Sequence, residues 1–209
     1  VVLNTVVQST ITQENTADAR IPLLTQYFPD QGDIPGTLPD PLHMKRRYYR
    51  RLTVRLETDT QNTGLGMGNA VLRDYDLISV IPSDEKTFQT ACSQLDVDII
   101  SIDVTDRPKY KIRPQNISSA IARGVFFEIC CVPADFNAMK QVVCGAMSLM
   151  SVTSRGRKGG SVILSSGAKQ ACAVRSPYDL VNLGSMLGMD QEAAYAAVSS
   201  NLEAAIMHG

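Results

Sequence analysis

The sequence predicts an α/β fold in which strand–helix units repeat around a mainly parallel sheet. Apolar strands recur roughly every 25–35 residues, and amphipathic helices separate most of them. This alternation requires crossover connections, which favour parallel pairing of the strands in one sheet. The strands are nearly continuous in apolar residues, which indicates that both faces of the sheet are covered. Periodicity leaves open whether the sheet closes into a barrel or stays open.

The strands are predicted from apolar runs and from alternation with a period of two. In the second strand, Leu52, Val54 and Leu56 alternate with Thr53 and Arg55, so one face is apolar and the other polar. Six strands are predicted, at residues 1–7, 52–56, 76–82, 97–102, 125–132 and 161–164.

The helices are predicted from capping residues and from apolar spacing. Ser176 is an N-cap, Pro177 suits the first helical position, and Asp179 completes a capping box. The apolar residues after Asp190 fall on one face of a single helix that reaches Ile206. Five helices are predicted: after Ser83 or Asp84, from Pro114 to Gly124, over 135–152, from Ser176 to Gly188, and from Asp190 onward.

The 209 residues suit one domain over 1–209. Residues 9–44 hold five of the ten prolines and show no periodicity, so we expect an irregular or disordered insertion there. The chain begins without Met in what reads as a strand, so we expect the natural protein to begin upstream, with a first strand missing here. We expect neither a signal peptide nor a membrane span.

The cysteines and histidines give little support for catalysis or metal binding. Five cysteines in apolar segments suit a reducing compartment, and adjacent Cys130 and Cys131 on a strand point to opposite faces. The two histidines, His43 and His208, are poorly placed in sequence to serve a nucleophile such as Ser165. We therefore expect no catalytic residue, no metal site and no cofactor on this chain.

Other candidate sites are weak as well. The glycine-rich segment 64–68 does not match a dinucleotide-binding loop, because the third glycine of that motif would stand at position 69, where this chain has Asn69. The segment also lies well past its strand. The polar residues at the ends of the predicted strands are few, namely Ser83, Asp103, Ser165 and Ser166. A metal-dependent barrel hydrolase needs several His, Asp or Glu side chains there.

The charge is clustered although the net charge is only −1. Residues 45–55 hold six Lys/Arg and no acid, and residues 105–175 hold eleven Lys/Arg against three acids. Clusters of one sign are the electrostatic footprint of a nucleic-acid binder. The alternative is a set of solvated loops that never converge.

The segment from Met44 to Arg51 combines five cations with two tyrosines. It could contact RNA phosphates and stack on bases, or act as a nuclear import signal. It could equally be a solvated loop leading into a strand. The three interpretations stay open at this point.

Glu128 stands inside an apolar strand, where a carboxylate is unfavourable unless it is paired or protonated. It could act as a general acid or base. We favour an internal structural role, in an ion pair with a cation such as Arg55 or Arg175 or in hydrogen bonds from backbone donors.

The second half of the chain carries a series of distinctive blocks: Lys111-Ile-Arg-Pro114, Arg123-Gly-Val-Phe-Phe-Glu-Ile129, Val162-Ile-Leu-Ser-Ser166, Arg175-Ser-Pro-Tyr-Asp-Leu-Val-Asn-Leu-Gly184, and Ala196-Ala-Val-Ser-Ser-Asn201 through Ile206-Met-His-Gly209. In this order the blocks resemble the thirty-kilodalton TIM-barrel protein subunit family of ribonuclease P and RNase MRP. The resemblance covers roughly residues 50–209. It departs after the Ser-Ser strand, where Gly167 to Cys172 replaces an acidic residue and Pro-Leu, and at Ser176, which replaces a glycine.

The resemblance implies a TIM-barrel-like (βα) repeat barrel with eight strands or fewer. It also implies a noncatalytic, RNA-binding scaffold subunit of the ribonucleoprotein that removes 5′ leaders from precursor tRNA, and of RNase MRP, which cuts precursor rRNA. The RNA subunit would do the chemistry with its own Mg²⁺. The implied partners are the RNase P/MRP RNA, a smaller ferredoxin-like protein subunit, the other protein subunits and, indirectly, precursor tRNA. The implied location is the nucleus and nucleolus.

The candidate RNA-binding residues are cations near predicted strand–helix junctions. Loops after strands share one end of a barrel, so Lys169, Arg175 and Arg113 should lie at the same end. Arg123 and Arg175 could instead form internal ion pairs. The full set is Lys45, Arg46, Arg47, Arg113, Arg123, Arg155, Arg157, Lys158, Lys169 and Arg175.

Two other classes of function compete with the scaffold. One is a stand-alone TIM-barrel phosphoesterase that depends on a metal. The other is a protein-interaction module without RNA contact. For a partner subunit we expect an apolar patch on helix 135–152 or on the C-terminal helix, although burial of both helices against the barrel is the favoured alternative.

Overall fold

The structure, a computed structural model, describes residues 2–8, 49–57, 65, 70–102, 110–131, 136–153, 160–168 and 174–208. The insertion predicted at 9–44 lies outside these residues. In the part of the chain described, no helix is both long enough and apolar enough to span a membrane.

Six parallel strands form one sheet whose spatial order is the order of the chain. This progression is that of a (βα) barrel, whereas the strand order of a doubly wound sheet reverses. Within the described residues, no pairing of the last strand with the first closes the barrel. The strands are β1 (Val2–Gln8), β2 (Tyr49–Leu56), β3 (Leu77–Pro82), β4 (Ile99–Ile102), β5 (Phe126–Cys130) and β6 (Val162–Ser165).

All six predicted strands and the α/β class are confirmed. The largest shift of a starting residue is at β2, which begins at Tyr49 rather than at Leu52. A short 3-10 helix, Ala70–Asp74, precedes β3. The helices are α1 (Glu85–Ser93), α2 (Pro114–Ala122), α3 (Phe136–Thr153), α4 (Pro177–Met186), α5 (Gln191–Val198) and α6 (Ser200–Ile206).

The predicted single C-terminal helix is wrong, because the chain breaks at Ser199 into α5 and α6. Ser199 has φ −132° and ψ −90°, and its hydroxyl donates to the carbonyl of Tyr195 at 2.6 Å. Serine side chains compete in this way with the helical backbone. Ser176 is confirmed as an N-cap, since it accepts from the amide of Asp179, and Asp190 accepts in the same way from the amide of Ala193.

One face of the sheet, here called the helix face, is apolar and packs against the helices. Its side chains join Phe88 and Ala91 of α1, Ile117 of α2 and Leu149 of α3 in one buried cluster. The strand residues of the helix face are Leu52, Val54, Leu56, Val80, Ile100, Ile102, Phe127, Ile129, Val162 and Leu164.

The opposite face, here called the interior face, carries the alternate residues of the same strands. At its amino end, Ile99 and Ile163 form a small apolar cluster with Ala205 of α6, and Phe126 and Leu202 pack against it. The rest of the interior face is unusually polar. Its polar residues are Arg51, Thr53, Arg55, Ser79, Ser101, Glu128, Cys130 and Ser165.

Candidate functional site

The polar residues of the interior face come together because the strands are in parallel register. Ser101 of β4 pairs in register with Glu128 of β5, and Cys130 pairs with Ser165 of β6. Residues two apart along a strand share a face, which places Arg51 of β2 on the same side. The site is thus supplied by five consecutive strands, β2 to β6.

A buried ion pair spans this face. Arg51 Nη1 donates to Glu128 Oε1 at 2.7 Å, and Arg51 Nη2 donates to Glu128 Oε2 at 2.5 Å. Arg51 Nη2 also donates to the hydroxyl of Ser79 at 2.7 Å. Arg51 is 6% exposed and Glu128 is 3% exposed, so water screens the pair very little. The two-point geometry is that of a strong bidentate pair.

Both partners are held in their charged forms. Burial alone would raise the pKa of Glu128, but the charge and hydrogen bonds of Arg51, with hydrogen bonds from Ser165 and Ser101, lower it. Burial alone would lower the pKa of Arg51, and Glu128 raises it. A carboxylate kept ionised and bonded on both oxygens is poorly suited to exchange protons with a substrate.

The thiol beside this pair, that of Cys130, favours its protonated form. Burial, followed by the charge of Glu128, raises the pKa of Cys130 to about 11. The hydroxyl of Ser165 lies 3.6 Å from its sulfur. A thiol with such a pKa is protonated near neutral pH, which disfavours it as a nucleophile. Among the described residues, no group of three or more His, Cys, Asp or Glu could hold a metal ion.

The prediction that Glu128 is buried and paired is confirmed, but the predicted partners, Arg55 and Arg175, are wrong. The partner is Arg51, four residues before Arg55 on the same face of β2. Strands in a barrel-like sheet are tilted, so side chains at one height do not share one hydrogen-bonding register. Alternation could have identified Arg51 as an interior residue. The run of cations from Lys45 to Arg51 masks this alternation, because Arg51 ends the cationic segment as well as lying in the strand.

The cationic segment from Met44 to Arg51 therefore does not act as one unit. Arg51 is committed to Glu128, and Arg50 forms an ion pair with Asp76 at 3.5 Å. Lys45, Arg46 and Arg47 lie outside the described residues. The last two cations of the segment, Arg50 and Arg51, belong to β2, as the interpretation of a loop leading into a strand allowed.

Arg113 and Arg175 lie at the carboxyl edge of the sheet, the edge at which the strands end. Arg113 is the N-cap residue of α2, is well exposed, and forms an ion pair with Glu85 at 2.6 Å. Arg175 directly precedes the N-cap of α4 and is partly buried. Burial raises the pKa of Cys131 to about 12 and the charge of Arg175 opposes this, so Arg175 lies near the end of β5.

Arg123 lies at the amino edge, the edge at which the strands begin. It is the C-cap residue of α2, and its guanidinium donates to the carbonyls of Cys92, at 3.2 Å, and Leu95 at the end of α1. Cations are favourable at the carboxyl end of a helix. These contacts favour the structural alternative for Arg123, through carbonyl groups rather than through an ion pair. RNA binding by this side chain stays a prediction.

The other predicted cations, Arg155, Arg157, Lys158 and Lys169, lie outside the described residues, and so does Asp103. One residue that the sequence left without a role, His208, contacts Asp98 at the amino edge. Neither residue forms a local motif, since 110 positions separate them in the chain. The only available signal was that residues 206–209 belonged to a block resembling the family.

The helices proposed as partner surfaces are partly exposed. On α3, Leu149 and Met150 are buried and Met147 is 52% exposed. On the C-terminal helices, Tyr195 of α5 is 44% exposed and Met207, directly after α6, is 85% exposed. Two exposed side chains of α4, which was not proposed as a partner surface, are Tyr178 and Met186, at 72% and 79%. An apolar patch large enough for a partner stays a prediction.

Residues 4–209 match the family described as RNase P subunit p30. The chain is 38% identical over 157 residues to Protein GAMETOPHYTE DEFECTIVE 1 of Arabidopsis thaliana, covering 74% of this chain and 26% of the relative. It is 35% identical over 161 residues to Ribonuclease P protein subunit p30 of Mus musculus, covering 76% and 59%. The chain thus spans less than two thirds of the length of these relatives.

The fold is shared with a chain in a cryo-EM structure of archaeal ribonuclease P with mature tRNA. The TM-score is 0.65 at 14% sequence identity, over 98% of this chain and 81% of that chain. This likeness supports the barrel-like arrangement of strands and helices.

Proposed function

Because this chain belongs to the RNase P subunit p30 family, we propose that it is a noncatalytic, RNA-binding scaffold subunit of the ribonucleoprotein that removes 5′ leaders from precursor tRNA. The observation that carries the proposal is the family match over residues 4–209, together with relatives that are 35% and 38% identical. A second role in RNase MRP, acting on precursor rRNA, is part of the proposal.

The noncatalytic part of the proposal is supported by the interior face. Its carboxylate, Glu128, is engaged through both oxygens, and its thiol, Cys130, has a raised pKa. A stand-alone metal phosphoesterase would need free carboxylates or imidazoles converging at the carboxyl edge. In the scaffold proposal, Mg²⁺ is bound by the catalytic RNA and the protein supplies shape and charge.

The carboxyl edge is the proposed RNA face. Arg113 is exposed there, and Arg175 lies on the same edge. Lys169, between β6 and α4 in the chain, is proposed to join them. Cations neutralise phosphates and release counterions, which makes such binding depend on salt.

The proposed partners are the RNase P/MRP RNA, a smaller ferredoxin-like protein subunit and the other protein subunits, with precursor tRNA contacted indirectly. The exposed apolar side chains of α4 support a protein contact, since large apolar side chains are enriched in the cores of interfaces. The proposed location is the nucleus and nucleolus.

Affinity purification of the tagged chain from its own cells tests the assignment. We expect a structured RNA to copurify, together with an activity that removes leaders from precursor tRNA and is lost when that RNA is digested. Leader cleavage that survives complete RNA digestion would contradict the scaffold role. Purification without any RNA would favour the protein-interaction module.

The RNA face is tested by the salt dependence of RNA binding. Replacing Arg113, Lys169 and Arg175 together with Ala should lower the slope of log K against log salt by about one per lost phosphate contact. Arg73→Ala is the matched control, because Arg73 is exposed but precedes β3, at the amino edge. An unchanged slope in a folded triple variant would eliminate this face.

A further inference from the structure

His208 is held between two acceptors at the amino edge. Its Nδ1 lies 2.9 Å from Asp98 Oδ1, and its Nε2 lies 3.1 Å from the backbone carbonyl oxygen of Arg123. A neutral imidazole carries one N–H and can donate to only one of these groups, whereas an imidazolium donates to both. The geometry therefore selects the protonated side chain.

Asp98, the acceptor for His208 Nδ1, is held in place by hydrogen bonds to the neighbouring strands. Asp98 Oδ2 accepts from the amide of Ile78 at 2.8 Å, and the backbone of Asp98 bonds to Ile78 on one side and to Phe126 on the other. Gly124 lies against the imidazole with φ +87°, and a Cβ there would come within 2.7 Å of the ring. The ring thus occupies a space that only glycine leaves open.

The element that His208 secures is α6. Ala205 and Leu202 of α6 pack on the apolar amino end of the interior face. Asn201 donates from Nδ2 to the carbonyls of Gly160, at 2.9 Å, and Val162, at 2.8 Å. His208 therefore adds a charged contact at the end of this short helix, beside the apolar contacts of Ala205 and Leu202 and the neutral hydrogen bonds of Asn201.

We propose that protonation of His208 stabilises the packing of α6 over the amino end of the interior face, and that loss of this proton weakens the packing. The acidic groups that act on it are Asp98 and Asp96, which follows α1. Glu203, the acidic residue of α6 itself, stands five positions earlier in the chain. The Arg123 guanidinium is turned toward the carbonyls of α1. The positive side chain that could oppose protonation is thus engaged elsewhere.

The direction of the pH dependence follows from this arrangement. The hydrogen bond to Asp98 raises the pKa of His208 above its ordinary value, although burial lowers it. A group with a raised pKa in the folded state stabilises fully below its unfolded value, about 6.5, and this contribution is lost as pH rises through the folded value. The helix should be held at mildly acidic pH and released at alkaline pH.

NMR titration and hydrogen exchange on the whole chain test this pH dependence of α6 packing. The chain has two histidines, so His43→Gln and His208→Gln assign the two imidazole signals. We expect His208 to titrate above 6.5, and the opening constant of α6, corrected for intrinsic exchange, to rise up to about tenfold per pH unit between 6.5 and that pKa. His43→Gln, the matched control, should keep this dependence and His208→Gln should lose it.

A His208 that titrates at or below 6.5, or α6 protection that does not change with pH, would overturn the proposal. The same holds if His208→Gln keeps the pH dependence of the unchanged chain. If that variant does not fold, the titration of the unchanged chain beside His43→Gln decides by itself.

Discussion

Arg51 and Leu52 are neighbours on β2, yet they lie on opposite faces of the sheet and are buried by different forces. Leu52 is fully buried among apolar side chains, where stability follows from apolar area and shape. Arg51 is 6% exposed, and its burial depends on one partner, Glu128. The helix face therefore tolerates exchange of one apolar side chain for another of similar size, whereas the interior face tolerates only changes that keep its charges matched.

The largest effect is expected on the interior face. Arg51→Met leaves Glu128 buried without its cation, which should lower the free energy of unfolding by about 3–5 kcal/mol. Removing both charges in Arg51→Met/Glu128→Met should restore most of this loss, because a buried pair replaced by apolar residues of similar volume is often neutral. Urea unfolding of the two variants measures the difference. A double variant as unstable as the single one would mean that the pair is not an independent unit.

On the helix face, the free energy of unfolding should depend on side-chain volume. No second substitution that removes a charge should recover the stability lost there. Leu52→Ala should lower the free energy of unfolding by about 2–5 kcal/mol through lost burial and the cavity that remains. Leu52→Met, the matched control, keeps the volume and should lose less than about 1.5 kcal/mol. Equal losses in both variants, measured by urea unfolding, would show that shape rather than volume governs this face.

A substitution of intermediate effect, Glu128→Gln, should change how the stability of the interior face depends on pH. Glu128→Gln removes the negative charge but keeps hydrogen-bonding atoms, and should lower stability by about 1–3 kcal/mol at neutral pH. The lowered pKa of Glu128 means that its contribution is present above its unfolded value, about 4.3, and is lost as pH falls through the folded value. Urea unfolding between pH 6 and pH 2.5 should show a smaller acid loss in this variant. Unchanged stability with lost tRNA processing would instead indicate a functional carboxylate.

The two faces also differ in how far the sequence could predict them. Alternation identified the helix face at Leu52, Val54 and Leu56, because burial of apolar residues requires no particular partner. It could not identify the partner of Glu128, because that depends on strand tilt across four strands. The end of α5 was missed for a related reason. A serine in an apolar stripe can either continue or interrupt a helix, and the packing of α6 against Ile99 and Ile163, which accompanies the break at Ser199, is a tertiary contact.

For the candidate RNA face, the sequence could predict at which edge of the sheet the cations lie but not which groups they contact. Loops after parallel strands share one edge, and Arg113 and Arg175 do lie at the carboxyl edge, as predicted. Charge counting could not show that Arg123 caps α1, because that contact joins two helices that are separate in sequence. The contact between His208 and Asp98 could not be predicted from sequence for the same reason.

The smallest expected effect compares Ser101 and Ile100, which are neighbours on β4 and lie on opposite faces. Ser101 supports the ionised form of Glu128 through a hydrogen bond, so Ser101→Ala should lower stability by about 0.5–1.5 kcal/mol at neutral pH. Ile100→Val on the helix face should lower it by a similar amount, about 0.5–1.5 kcal/mol. Only Ser101→Ala should also raise the pKa of Glu128 and move the acid loss of stability to higher pH, because the lost hydrogen bond favoured the charged form. Urea unfolding at pH 7 and across the acid range compares the two variants. An acid loss that moves equally in both, or in neither, would mean that the interior face does not respond to hydrogen bonding as a separate unit.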